Sequence, residues 1–355
     1  MSGASGVAGA GAASGVRRPV AWQVGRTGEV AGGMTQVVNG YVAWPFERVD
    51  VRVIVSRDGS GGMRALQLFA RAARRILSLS HTHDDIVVVH LSQGGSFVRE
   101  GILLVLASLR RVTTVAQLHG SSFAAFAARK PRLVRFVLRR ATRVMTLSDE
   151  TSAVARRLVP PSRVIQLPNA VAAGSPTAKT RTVVFGGNVS HRKGIDVLMA
   201  AWAALTPQVR EGWLMLVAGP VADPALVAEL PDGVELLGSV AHIRLMGLLD
   251  EASVAVLPSR DEAMPMFILE ALAREACVIA TTVGGISGVL EGGAGILVDA
   301  GNVEALAVAL TTALSDDRAR VDTARLGHER YLGEFAATAV YPRVESEWLA
   351  ARDGR

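Results

Sequence analysis

The chain has 355 residues, half of them apolar and a fifth charged, which excludes a disordered or fibrous protein and suits two domains of roughly 150 residues each. Its one cysteine, Cys277, rules out a disulfide within the chain, so no oxidising compartment is needed and a cytoplasmic location is expected. The net charge of +6 is uneven: residues 1–175 hold 23 Lys/Arg against 9 Asp/Glu (+14), and residues 176–355 hold 15 against 23 (−8). A basic first half predicts an anionic partner surface, nucleic acid or a membrane. No apolar run reaches the roughly 18 residues that would cross a bilayer.

Residues 1–17 read as a disordered tail. The Gly/Ala/Ser tract there has neither the basic nor the apolar stretch of a secretion signal. GAGAASG at 9–15 is not a dinucleotide loop, because no strand precedes it. Short apolar, β-branched runs then follow at 20–24, 51–55, 85–90, 113–119 and 143–147, with helical patterns such as 63–77 between them. Runs of that kind are strands covered on both faces, and strand–helix alternation predicts a doubly wound parallel sheet. This first α/β domain is assigned residues 18–170. The Pro/Gly/Ala/Thr-rich stretch around 168–180 marks a linker, placed at 171–180. The pattern restarts with strands at 182–187, 213–219, 234–238, 252–258 and 277–281, giving a second Rossmann-like domain over 181–330. Residues 331–355 read as a C-terminal helix broken near Pro342, which can cross back to the first domain.

Two such domains facing each other form a cleft, and ligands bind at the carboxyl ends of parallel strands. The strand at 252–258 leads into SRDEAMPMFILEALA. Proline favours a first helical position, so a helix is predicted from about Pro265, with Glu262 in the loop before it and Glu270 on its second turn. If both glutamates were helical, their eight-residue spacing would separate them by about 12 Å, too far for a shared acid–base pair. Separate roles follow. The free N–H groups of Met266 and Phe267 offer an anion site for a diphosphate. Glu270 can accept hydrogen bonds from a ribose, and Glu262 can address a sugar hydroxyl or positive charge developing on the sugar.

The run PSRDEAMPMFILEALA followed by CVIATTVGG resembles the signature of retaining glycosyltransferase family 4, whose fold is GT-B: two Rossmann-like doubly wound domains around a central cleft. The resemblance covers about residues 20 to 330. It implies that Glu270 binds the nucleotide ribose and that Glu262 contacts the donor sugar. GGNVSHRKG (186–194) resembles the family's glycine-rich loop, with Gly187 in the turn and Lys193 as the cation for the donor diphosphate. Where the family usually has an arginine, this chain has Asn188, and Arg192 or an arginine of the first domain is the candidate to compensate. His119-Gly120 resembles the loop whose histidine faces the donor sugar, and Gly32-Gly33 resembles the first glycine loop, with Gly33 near phosphate. HLSQGGSFVREG (90–101) resembles a branch that builds bacterial exopolysaccharide, capsule or cell envelope, which puts Ser96 and Arg99 near the acceptor. Gly284-Gly285 matches a glycine pair, but the glutamate that follows in the family is Gly288 here.

Residues 127–143 hold seven cations and no acid, and Arg132, Arg135, Arg139 and Arg143 recur at helical spacing. A basic amphipathic helix predicts binding to an anionic membrane surface, hence a peripheral position at the inner face of the cell membrane. Nucleic acid is not expected, for lack of a recognisable module and of interleaved aromatics. No His/Cys cluster has metal-ligand spacing, and His81 and His83 read as a polar turn. No cofactor and no metal are expected. The predicted activity is retaining sugar transfer from a nucleotide-diphosphate sugar to a hydroxyl on a lipid-linked or saccharide acceptor, in envelope or exopolysaccharide biosynthesis. The alternatives are a sugar-nucleotide epimerase of the same fold and a non-catalytic sugar-nucleotide-binding assembly partner.

Overall fold

A computed structural model describes residues 17–28, 32–79 and 84–354. The expected tail over 1–17 lies almost wholly outside these residues, as do His81 and His83. The first sheet contains β1 (Val20–Gly25), β2 (Asp50–Val55), β3 (Ile86–Leu91), β4 (Thr113–Leu118), β5 (Arg143–Thr146) and β6 (Val164–Gln166), all parallel, in the order β2-β1-β3-β4-β5-β6. The second contains β7 (Thr180–Gly186), β8 (Leu214–Ala218), β9 (Val234–Gly238), β10 (Ala252–Leu257), β11 (Cys277–Thr281) and β12 (Ile296–Val298), also parallel, in the order β12-β11-β10-β7-β8-β9. The doubly wound fold is therefore present twice.

β1, β3, β4, β10 and β11 are buried along their whole length, as continuous apolar runs covered by helices on both faces should be. β2 departs from that expectation. It is the edge strand, and only Ile54 among its residues is buried. β6 and β12 were not predicted, since three residues carry too little periodicity to be seen.

In the first domain, helices α1 (Gly33–Ala43), α2 (Gly62–Leu77) and α3 (Gly94–Leu109) follow β1, β2 and β3, and α4 (Phe123–Arg129) and α5 (Pro131–Leu138) follow β4. The single basic helix expected over 127–143 is not formed. The chain breaks at Lys130, the residue before Pro131, where helical backbone is disfavoured, and Arg143 already begins β5.

The C-terminal helix, Ala337–Asp353, runs unbroken through Pro342, against expectation; the irregular turn comes earlier, at Tyr331–Phe335. Packing on both sides of the proline holds the helix. Tyr341 and Trp348 both meet Tyr41 and Phe46 of the first domain at centroid distances of 5.2–5.8 Å. Glu345, buried, accepts from the backbone N–H groups of Arg48 (2.6 Å) and Val49 (3.1 Å). The helix thus ties the end of the chain to the first domain. No helix among the described residues is long and apolar enough to cross a membrane.

Candidate active site in the interdomain cleft

Each sheet reverses its winding direction once: between β1 and β3 in the first, and between β7 and β10 in the second. Crevices open at such points. The loops leaving these strands line one cavity of about 550 Å³ between the domains.

On the second-domain side, β7 leads into Gly187, whose φ of +152° favours glycine, and the turn brings Lys193 back beneath it. The Lys193 ammonium is ion-paired with the buried Glu262 carboxylate, which also accepts from Ser259 Oγ at 2.9 Å. A second constraint seats Glu262. Gly284 has φ +54° and packs so tightly on the Glu262 carbonyl that a side chain there would collide with it. Arg260 grips Asp196 with two hydrogen bonds of 2.7 Å, which hold the Asp196 carboxyl below its usual range and fasten the start of the helix after β7, Ile195–Ala204, to the loop after β10.

The helix after β10 runs Met266–Leu272, with Pro265 as the capping residue just before it, at ψ 124°. The predicted start at Pro265 is thus off by one residue, because the proline's extended ψ keeps it outside the helix. Every residue of the helix is buried. The N–H groups of Met266 and Phe267 head it and have no carbonyl behind them in the helix. Glu270 lines the cavity one turn in, and His242 Nε2 donates to its Oε1 at 2.8 Å.

The first-domain side presents Gly33, Ser92, Gln93 and His119. His119 Nε2 lies 2.9 Å from His90 Nδ1, and His90 Nε2 lies 2.9 Å from Gln23 Oε1. With the amide oxygen as acceptor, His90 donates from Nε2 to Gln23 and accepts from Nε2–H of His119, which leaves Nδ1 of His119 as an acceptor. Burial, then repulsion from Arg57, brings the His119 pKa down to about 3; burial, His119 and Arg57 bring His90 well below its usual value. Both rings are neutral at physiological pH. The two walls meet through Ser121 Oγ, which donates to Asp261 Oδ2 at 2.6 Å, and Asn169 Nδ2, which donates to the Met264 carbonyl at 3.2 Å.

The cavity therefore gathers His119, Glu262, Glu270, Gly33, Gly187, Arg192, Lys193, Met266 and Phe267 from separate loops. Arg192 lines it and donates to the Asp261 carbonyl at 2.7 Å, while Asn188, in the place of the family's arginine, lines it too. Gly288 is exposed on the short helix Ile286–Val289, and its carbonyl accepts from Arg330 Nη2 at 2.7 Å. Ser96 and Arg99 are not part of the cavity wall; they sit on α3 behind it. His242, His90 and Asp261 were missed. A histidine opening a helix just after a strand, as His242 does after β9, was the one available signal.

Comparison with known proteins bears on the family and the fold. Residues 180–316 match the family model for glycosyl transferases group 1. The glycogen synthase of Mycobacterium tuberculosis is 27% identical over 190 residues, 52% of this chain and 46% of that protein. The chain thus spans about half the length of the curated relatives it matches. Among solved structures, sucrose-phosphate synthase from Thermosynechococcus elongatus superposes with a TM-score of 0.75 at 19% identity, over 96% of this chain and 100% of that one. Anabaena HepE in complex with UDP-glucose superposes at 0.71 and 16% identity, over 92% and 98%.

Proposed function

We propose, for a chain of GT-B fold whose residues 180–316 form a glycosyl transferases group 1 domain, retaining transfer of a sugar from a nucleotide-diphosphate donor to a hydroxyl acceptor. The observation that carries this reading is the pairing of Lys193 with Glu262 at the mouth of the Met266–Leu272 helix, with Glu270 one turn further in and His119 on the opposite wall. In the donor complex, Lys193 moves its charge from Glu262 to the diphosphate, joined by Arg192 and the helix-heading N–H groups of Met266 and Phe267. These groups stabilise the departing diphosphate without a metal. Glu262, freed from Lys193, accepts a hydroxyl of the donor sugar. Glu270, oriented by His242, accepts the ribose hydroxyls. Gly33 lets the backbone approach the phosphates without a side chain between. His119 is neutral and takes a sugar hydroxyl at Nδ1, where a cation would oppose the positive charge developing on the ring. That HepE was captured with UDP-glucose supports a nucleotide sugar for this fold.

The acceptor is a lipid-linked or polysaccharide hydroxyl, and the protein works at the inner face of the membrane. The support is the surface of α4 and α5, where Arg129, Lys130, Arg132, Arg135, Arg139 and Arg140 are exposed around a half-exposed Phe136. Two short helices present these cations instead of one long helix, and a basic surface around an exposed aromatic suits an anionic interface in either form. Failure to sediment with phosphatidylglycerol vesicles at low salt removes the membrane part of the proposal.

The enzymatic part is tested by incubating the protein with a panel of nucleotide sugars, with and without polyprenyl-linked or saccharide acceptors, and following nucleoside diphosphate release and anomeric configuration. Acceptor-dependent release with a retained anomer is expected. Release without acceptor points to the epimerase alternative, and binding without turnover to a non-catalytic partner.

A further inference from the structure

The chain uses arginine almost throughout: of its 38 Lys/Arg, only Lys130, Lys179 and Lys193 are lysines. Lys193 belongs to the donor seat and Lys130 to the basic face of the first domain. Lys179 ends the interdomain linker, just before β7, and the donor chemistry gives it no task. Its Nζ donates to three backbone carbonyls, those of Leu249 (3.4 Å), Asp250 (3.0 Å) and Arg274 (2.5 Å). Leu249 and Asp250 lie in the last turn of the helix His242–Glu251, and Arg274 lies two residues beyond the helix Met266–Leu272. Carbonyls at a helix end lack an N–H partner in their own helix and carry the negative end of its dipole. A compact ammonium with three donors can meet three oxygens at one point; the flat fork of a guanidinium cannot.

Further bonds fasten the linker to the same two helix ends. The Asp250 side chain accepts from the Ser175 N–H at 3.0 Å and lies 3.1 Å from Arg274 Nε. The Asp250 carbonyl also accepts from the Thr177 N–H at 3.1 Å. Buried Arg274 donates from Nη1 to the Glu270 carbonyl at 3.2 Å. At its other end the linker meets the start of the C-terminal helix, where the Val171 carbonyl accepts from the Ala337 N–H at 2.9 Å. The opposite ends of the two helices reach the cleft: His242 opens one and donates to Glu270 on the other, which Met266 and Phe267 head. At 1.5 Å per residue, the cleft and linker ends of these helices are about 10–15 Å apart.

We propose that Lys179 is a positioning residue for sugar transfer: it locks the interdomain linker to the two helices that carry the ribose seat, so that filling the seat and closing the cleft become one movement. The proposal rests on the transferase reading above. Packed helices shift as rigid elements, so a displacement at His242 and Glu270 is delivered to the far ends, where the linker is held. The charged groups facing the ammonium are Asp250, from the first helix, and Arg274 and Glu275, from the turn after the second. Burial brings the Lys179 pKa down to about 8, against Glu275 and Asp250, which raise it, and with Arg274, which lowers it. Above that pH the ammonium becomes an amine, its attraction to the helix ends fades and the lock weakens.

The test uses the full chain and two readouts. Hydrogen exchange followed by mass spectrometry needs no ligand. Lys179→Met should raise exchange several-fold in peptides covering the linker and also in those covering 240–245 and 262–270, at the cleft ends of both helices. A rise confined to the linker overturns the proposal. Turnover is measured in the acceptor assay above with UDP-glucose, GDP-mannose and ADP-glucose. Lys179→Met should lower the saturated rate about tenfold while the donor KM changes less than about threefold. The wild-type rate should fall as pH rises through about 8, and Lys179→Met should lose that fall. Lys179→Arg, charged at every pH, should recover part of the rate and also lack the fall. Asp250→Asn, which keeps the carbonyls and weakens the hold on Ser175 and Arg274, should show the same exchange and rate pattern more mildly, and it keeps the test decisive if the Lys179 variants do not fold. An unchanged rate in Lys179→Met, or an unchanged fall through pH 8, overturns the proposal. No turnover by the wild type with any donor overturns the transferase reading instead, and the exchange result still decides whether linker and seat are coupled.

Discussion

The two walls of the cleft handle charge in opposite ways. On the second-domain wall the carboxylates each have a partner: Glu262 has Lys193, Glu270 accepts from His242, and the half-buried Asp196 has Arg260. On the first-domain side the buried histidines are neutral, and behind the cavity wall Arg57 and Arg99 share Glu100. A wall with matched charges is stable when empty and exchanges partners when a dianionic ligand arrives. The matched wall suits the proposed donor side, which must bind and release a diphosphate.

The largest expected effect tests the matched wall. Lys193→Ala should lower the turnover rate with a nucleotide sugar about 100- to 1,000-fold, the range for losing one preorganised charge at a leaving group. It also leaves the buried Glu262 with only Ser259 and the more distant Arg192, at 3.9 Å, so a reduced melting temperature should accompany the loss. Glu270→Ala should weaken nucleotide-sugar binding about 10- to 100-fold, as expected for one or two hydrogen bonds to a charged group, with the turnover rate at saturation less affected. Comparing binding constants with saturated rates separates these two roles.

A smaller effect concerns how Glu262 is held. Gly284→Ala should destabilise the fold by about 1–3 kcal/mol in chemical denaturation, since alanine opposes the positive φ and meets the Glu262 carbonyl. On the neutral wall the sign of the pH dependence is set. His90 and His119 titrate lower in the folded protein than in the unfolded chain, where a histidine has a pKa of about 6.5. Their contribution is fully present above that value. It is lost as pH falls, by up to about 1.4 kcal/mol per pH unit for each ring as the unfolded chain takes up protons. Replacing both with Gln should flatten the stability curve between about pH 6.5 and 4, and an unchanged slope would show that other groups cause it. The mildest expected change is Asp261→Ala, which removes the bridge to Ser121 and should raise the donor KM a few-fold by loosening closure.

Legibility in the sequence follows the same division. The second-domain wall is built from short continuous segments, 186–194 and 262–270, so strand, turn and helix start could be read with their chemistry attached. The first-domain wall joins Gln23, Arg57, His90 and His119 from the ends of four strands, and nothing in linear order connects them. Ser96 and Arg99 were placed near the acceptor from the sequence, yet both lie behind the cavity wall, because the residues of α3 that face the sheet and its neighbours turn away from the opening. The errors at Pro131 and Pro342 show what governs proline. At 131 the residue before it left the helix and the helix ended; at 342 aromatic packing on the first domain kept the helix whole.

The central claim is that the Lys193–Glu262 and His242–Glu270 pairs form the seat of a nucleotide-diphosphate sugar. It is tested most directly by the melting temperature of the wild-type chain, Lys193→Ala and Glu270→Ala against a panel of nucleotide-diphosphate sugars. At least one sugar nucleotide should raise the wild-type melting point by several degrees at about 100 times its Kd, and both substitutions should abolish most of that rise. The account is contradicted if no sugar nucleotide stabilises the wild type, or if both variants are stabilised as much as the wild type is.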